Sequence, residues 1–120
     1  MEYRAPLEEL SFLLQELVDL SQASADPELI NNDLAMTIFE EAGKFASGVL
    51  SPLNAVGDRQ GLRFENGEVT TPDGFRAAYQ QFIDNGWNNV VIPESIGGQG
   101  LPYLLASAVT EMFSAAHKSF

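Results

Sequence analysis

Cysteine is absent from the 120 residues, which leaves no disulfide framework, no thiolate metal site and no cysteine nucleophile. Histidine and tryptophan occur once each, as His117 and Trp87. With one imidazole no His-Glu-x-x-His zinc motif exists, and no Ser–His–acid set is apparent. Basic residues are scarce: 6 Lys and Arg stand against 17 Asp and Glu, a net charge of −11. Such a chain is a poor fit to nucleic acid or an anionic membrane, both of which need basic patches. No apolar run approaches the about 20 residues of a membrane-spanning helix. The start, MEYRAPLEEL, lacks the basic region and apolar stretch of a signal peptide. The expectation is a cytoplasmic protein with no membrane span.

What is present reads as one globular domain. Hydrophobic residues make up 45%, enough for a modest core. The stretch that organises the chain is Gly86 to Pro102, GWNNVVIPESIGGQGLP. Gly86 ends an amphipathic run and reads as a left-handed helix cap. Val90, Val91 and Ile92 are β-branched, and Pro93 pushes Ile92 towards extended geometry. Gly97, Gly98 and Gly100 suit positive φ and close backbone approach. GGQG is neither a Walker A loop nor a dinucleotide fingerprint. An alternative role remains open: an anion at the N-terminus of the helix that starts near Pro102, although no Lys or Arg lies nearby.

Helices flank this loop. Pro6 to Leu20 carries Leu7, Leu10, Leu14, Leu17 and Val18 at helical spacing, with Phe12 near the polar side. Asp26-Pro27-Glu28 is a cap–proline–acid start. The helix it opens is expected to run to about Leu53, with Ile30, Leu34, Ile38, Ala42, Phe45 and Val49 in line and Ala35, Phe39, Ala46 and Leu50 beside them. Gly48 suggests close helix packing, and Pro52 a bend or break near Ser51. Asn66-Gly67 is a hairpin signal between short extended pieces. Thr71-Pro72-Asp73 repeats the start signal before a stripe of Phe75, Ala78, Tyr79, Phe82 and Ile83. Pro102 to about Ala116 is almost apolar all round and is expected to be buried on most sides. The fold class is therefore all-α: a small bundle of about four main helices, with a short hairpin or irregular loop near residues 54–72.

Candidate chemistry is thin. Glu111, the one charge in the last helix, reads as buried and paired with an Arg or a backbone amide; a general base with a raised pKa is the competing reading. His117 reads as a charge or hydrogen-bonding group at the end of that helix. Glu40 and Glu41 read as solvated. No catalytic, cofactor-binding or metal-ligating residue is assigned.

The order Gly86-Trp87, Val91-Ile92-Pro93-Glu94 and Gly97-Gly98-Gln99-Gly100-Leu101-Pro102, then the helix with Glu111, resembles the N-terminal helical domain of acyl-CoA dehydrogenases. Tyr3-Arg4-Ala5-Pro6-Leu7 and the passage GEVTTPDGFRAAY, residues 67–79, resemble the long-form branch that includes the 3-methylmercaptopropionyl-CoA dehydrogenases. The resemblance implies residues 1–25 as an N-terminal extension helix and linker, and residues 26–120 as the helical domain. It implies a longer enzyme, with a β domain and a C-terminal helical bundle as partners of this domain, FAD as cofactor, an acyl-CoA substrate and a homo-oligomeric assembly. In that family a glutamate from the C-terminal part removes the α-proton, and a hydride passes to the flavin. Neither that glutamate nor the flavin-contacting motifs have counterparts here, so this chain is expected to be inactive alone and to hold no FAD. A free-standing helical interaction module without flavin is the alternative. A reading frame that continues past Phe120 into a β-rich segment favours the enzyme. Without other domains, the apolar last helix is expected to drive weak self-association.

Overall fold

The computed structural model describes residues 2–23 and 30–120. Helix α1 (Leu7–Phe12) runs into a π-helical turn, Leu13–Leu17. Helix α2 (Asn32–Phe45) opens where the Asn31 side chain accepts from the Leu34 N–H at 2.8 Å. The Asp26-Pro27-Glu28 start lies outside the described residues. A second π-helical turn, Ala46–Leu50, joins α2 to α3 (Ser51–Gln60). Strands β1 (Arg63–Glu65) and β2 (Glu68–Thr70) pair antiparallel across Asn66-Gly67, both at positive φ. Helices α4 (Phe75–Asp84) and α5 (Tyr103–Ala116) flank the central loop. The all-α bundle with one small hairpin is therefore the observed architecture.

The core forms where α2 and its π turn pack on α5, with Phe39, Leu50, Leu105 and Met112 fully buried. Both π turns correct the sequence reading. A π turn carries one residue more than an α turn, so the stripe beyond it swings round the axis. Leu10 and Leu14 are buried, but Leu17 is 66% exposed and Val18 is exposed too. Along α2 and the π turn after it, Ala35, Phe39, Ala42, Ala46 and Leu50 are all fully buried, while Leu34, ahead of that turn, is exposed. At Pro52 the helix does not break. The hydrogen-bond ladder has already slipped by one residue at Ala46–Leu50, and the helix continues to Gln60. Residues 54–60 are thus helical, and the hairpin occupies only the latter part of 54–72. Close packing falls at Gly43, where a Cβ would meet the Ala5 Cβ at 2.9 Å, whereas Gly48 faces open space. Helix α4 begins at Phe75, after Thr71-Pro72-Asp73. Asp73 is held instead by Gln60, which accepts its N–H at 2.8 Å and donates to its carboxylate at 3.1 Å.

Helix α5 is not apolar towards solvent. Tyr103, Ser107, Thr110, Glu111, Ser114 and Ala115 face outward, while Leu105, Ala108, Val109, Met112 and Ala116 are buried. The uncovered apolar face expected of this helix is absent, because small polar residues read as neutral in a hydrophobic count but sit on one side. Glu111 is exposed, and it forms no ion pair among the described residues. Burial, then the nearby Glu111 charge, pushes the Tyr3 hydroxyl above its usual pKa.

The central loop is locked by close approach. A Cβ on Gly98 would lie 1.9 Å from the Ile92 carbonyl oxygen, and Gly97 has φ of 91°. Gly98→Val is expected to cost several kcal/mol and Gly97→Val about 1–3 kcal/mol. Gly48→Ala, in a helix with free space, is expected to be neutral or to stabilise by up to about 1 kcal/mol. Urea midpoints of the three variants check this; equal midpoints for Gly98→Val and the parent would count against the loop geometry.

Candidate functional site

The loop and the end of α5 meet on one aromatic seam. Asn85 and Gly86 close α4 by donating to the Gln81 and Ile83 carbonyls at 2.9 Å, with Gly86 left-handed at φ 77°. Trp87 then turns inward and meets Phe113 edge-on, centroids 5.4 Å apart. Phe113 also meets Phe45 at 5.4 Å and Phe82 at 6.1 Å. The seam passes through Phe82 to Phe120 at 6.3 Å, to Phe75 at 6.3 Å, and to His117, 5.1 Å from Phe75. These spacings fit edge-to-face aromatic packing.

The glycine loop spends its amides on itself. The N–H groups of Gly97, Gly98, Gln99 and Gly100 donate to the carbonyls of Glu94, Pro93, Asn89 and Ile92 at 2.9–3.1 Å. The Gln99 side chain donates to the Gly86 carbonyl at 2.7 Å and to Asn89 Oδ1 at 2.8 Å. A phosphate-binding loop needs free amides pointing at the anion. This loop has none at GGQG, and residues 77–117 contain no Lys or Arg. The structural reading of the glycines therefore holds.

His117 differs from its expected role. It is 3% exposed, the one buried polar residue among those described, and lies on Phe75 rather than at a solvated helix end. Its Nδ1 is buried without a hydrogen-bond partner among the described residues. Burial lowers its pKa below the ordinary histidine value, which favours the neutral ring. Gly57 on α3 makes room for this pair: a Cβ there would meet Phe75 Cζ at 2.7 Å and His117 Nε2 at 3.7 Å. Two open clefts of about 610 Å³ flank Phe75. One is bounded by Asn54, Asp58, Leu62, Pro72 and His117, the other by Val69, Thr71, Arg76, Tyr79 and Phe120. Sequence reasoning missed the Gly57–Phe75–His117 contact, because it crosses the hairpin. The one signal was a glycine inside α3 that no turn required. Glu40 and Glu41 are exposed as read, with Glu41 2.6 Å from Lys44. No group of three potential metal ligands occurs among the described residues, and none of their helices is long and apolar enough to cross a membrane.

Two curated proteins that resemble the chain are acyl-CoA dehydrogenases, so the resemblance carried by Gly86–Pro102 extends over the whole chain. One is the 3-methylmercaptopropionyl-CoA dehydrogenase of Ruegeria pomeroyi, 38% identical over 125 aligned positions that cover 100% of this chain. Another is the broad-specificity linear acyl-CoA dehydrogenase of Mycobacterium tuberculosis, 25% identical over 119 positions and 96% of the chain. The chain spans 21% and 20% of these two proteins, about a fifth of their length. No family model matches it.

The buried imidazole makes stability depend on pH. The unfolded chain binds its proton near the ordinary pKa of about 6.5, and the folded chain binds it only at lower pH. As pH falls below about 6.5 the unfolded state takes up the proton first, so stability drops until folded His117 is itself protonated. Above that window His117 contributes no pH dependence. The urea midpoint is expected to fall between about pH 7.5 and 5.5, and to fall less in His117→Leu. Parallel profiles for the two proteins would show that His117 is not the group responsible.

Proposed function

We propose that this chain is the N-terminal helical domain of an FAD-dependent acyl-CoA dehydrogenase, a longer protein that oxidises the α,β C–C bond of an acyl-CoA thioester. Residues 1–25 are its extension helix and linker, and residues 26–120 the domain proper. The observation that carries this reading is the 38% identity along the whole chain to a dehydrogenase about five times as long. The described side chains support it from the other direction. They offer a packed aromatic wall and two clefts, and the GGQG amides are spent within their own loop.

In the assembled enzyme the β domain and C-terminal bundle would hold the FAD, which would supply the hydride-accepting chemistry. The part taken by this chain is to exclude water. A wall such as Trp87–Phe113–Phe82–Phe120 keeps the dielectric low beside a developing enolate, where fixed dipoles stabilise charge more strongly than in water. The chain alone is inactive, and the parent is a homo-oligomeric, cytoplasmic protein.

Two preparations test the proposal. The 120-residue chain is expected to elute from gel filtration without flavin absorbance and to reduce no electron acceptor with any acyl-CoA. The longer protein that contains it is expected to be yellow and to bleach when a 3-methylmercaptopropionyl or linear acyl thioester is added. A colourless longer protein, or stoichiometric FAD on the 120-residue chain, would overturn the reading.

A further inference from the structure

The chain holds two Asn-Gly pairs, Asn66-Gly67 at the hairpin turn and Asn85-Gly86 at the end of α4. In such a pair the glycine nitrogen can attack the asparagine side-chain amide, because no Cβ on the glycine hinders the approach. The fold treats the two pairs differently. Gly86 is held on both sides: its N–H donates to the Ile83 carbonyl at 2.9 Å, and its own carbonyl accepts from Gln99 at 2.7 Å. Asn85 is fixed as the helix cap at φ −82° and ψ −4°. Ring closure there requires the Gly86 nitrogen to rotate towards the Asn85 side chain, which breaks the bond to Ile83.

Asn66 and Gly67 are exposed, and the Gly67 N–H donates to no backbone carbonyl among the described residues. A Cβ on Gly67 would meet nothing within 4 Å, so nothing crowds the turn. The strands on either side have three residues each, all exposed, and the pair next to the turn sets Glu65 directly opposite Glu68. Like charges in that position weaken the ladder, and a two-stranded hairpin is marginal in water by itself. The turn therefore opens far more readily than the end of α4.

We propose that Asn66 is a modification site: it deamidates spontaneously through a cyclic imide with Gly67, at a rate set by opening of the hairpin. The Gly67 nitrogen gives up its proton to solvent hydroxide and attacks Asn66 Cγ. A bond from that nitrogen to Cγ forms, the Cγ–Nδ2 bond breaks, and the leaving nitrogen takes a proton from water and departs as ammonia. A water molecule then opens the imide ring. Cleavage between the Gly67 nitrogen and Cγ leaves aspartate; cleavage between that nitrogen and the Asn66 main-chain carbonyl leaves isoaspartate. The sum is asparagine and water to acid and ammonia, with no oxidant or reductant. Each product puts a further negative charge between Glu65 and Glu68. Isoaspartate also adds a carbon to the main chain of a turn that needs positive φ at both positions. The reaction thus leaves the hairpin weaker than before.

This inference concerns the chain's own turn and does not rest on the flavoenzyme reading. The test is incubation of the 120-residue chain at mildly alkaline pH, followed by tryptic peptide mapping. Asn66 lies in the peptide of residues 64–76 and Asn85 in that of residues 77–118, so mass spectrometry with fragmentation follows each separately. Asn66 is expected to convert at least about tenfold faster than Asn85 in the folded chain, and at a similar rate in concentrated urea. Glu68→Lys sets opposite charges across the ladder. It is expected to lower the ratio of the Asn66 rate in the folded chain to that in urea about twofold to fivefold. The deamidated fraction, isolated by anion exchange, is expected to exchange its hairpin amides faster than the unmodified chain. Equal rates at Asn66 and Asn85 in the folded chain would overturn the proposal. So would a preference for Asn66 that persists in urea, a rate ratio that Glu68→Lys leaves unchanged, or hairpin amides that exchange no faster after deamidation.

Discussion

The ring of Phe113 is where the molecule is tied together. It meets Phe45 from α2, Phe82 from α4 and Trp87 from the central loop, all within about 6 Å. Each contact has edge-to-face geometry, a directional preference that hydrophobic burial alone lacks. Elements far apart in sequence therefore converge on one side chain of α5. The loop keeps its shape because Gly98 lies against the Ile92 carbonyl, and that shape presents Trp87 to the ring. If either end of this arrangement fails, α4 loses its anchor and the clefts beside Phe75 lose a wall.

Local signals in the sequence carried a good deal of this. Asn66-Gly67 marked the hairpin because a type I′-like turn needs positive φ at both positions, and few other residue pairs accept it. Gly86 marked the end of α4 for the same backbone reason. The burial of Phe39 and Leu50 followed from helical spacing. What was illegible depended on a change of spacing. Neither π turn has a composition signature, and each rotates everything after it, so Leu17 was read as inward and is outward. The candidate site was less legible still. His117 looked like a helix-end charge because its neighbour is Lys118. Only the fold shows that Gly57 and Phe75 close over it.

The glycine loop and the aromatic seam share one structural character. A domain that held a nucleotide would leave amides free at a helix start or place bases nearby. Here the glycine loop is closed on itself, and the residues around it are neutral or acidic. The physical assets are shape and dryness: an aromatic seam that reaches from the loop to Phe120, and a surface with two concavities at its end.

The molecule measures 52 × 36 × 17 Å, a slab rather than a sphere. With packed helix axes about 10 Å apart, its thin dimension holds about two layers, such as α2 against α5. No side chain in such a body is far from both broad faces, and even Phe39 is separated from solvent by little more than one helix. A slab of this kind acts as a partition: whatever presses on one broad face is felt on the other through a single layer of packed rings.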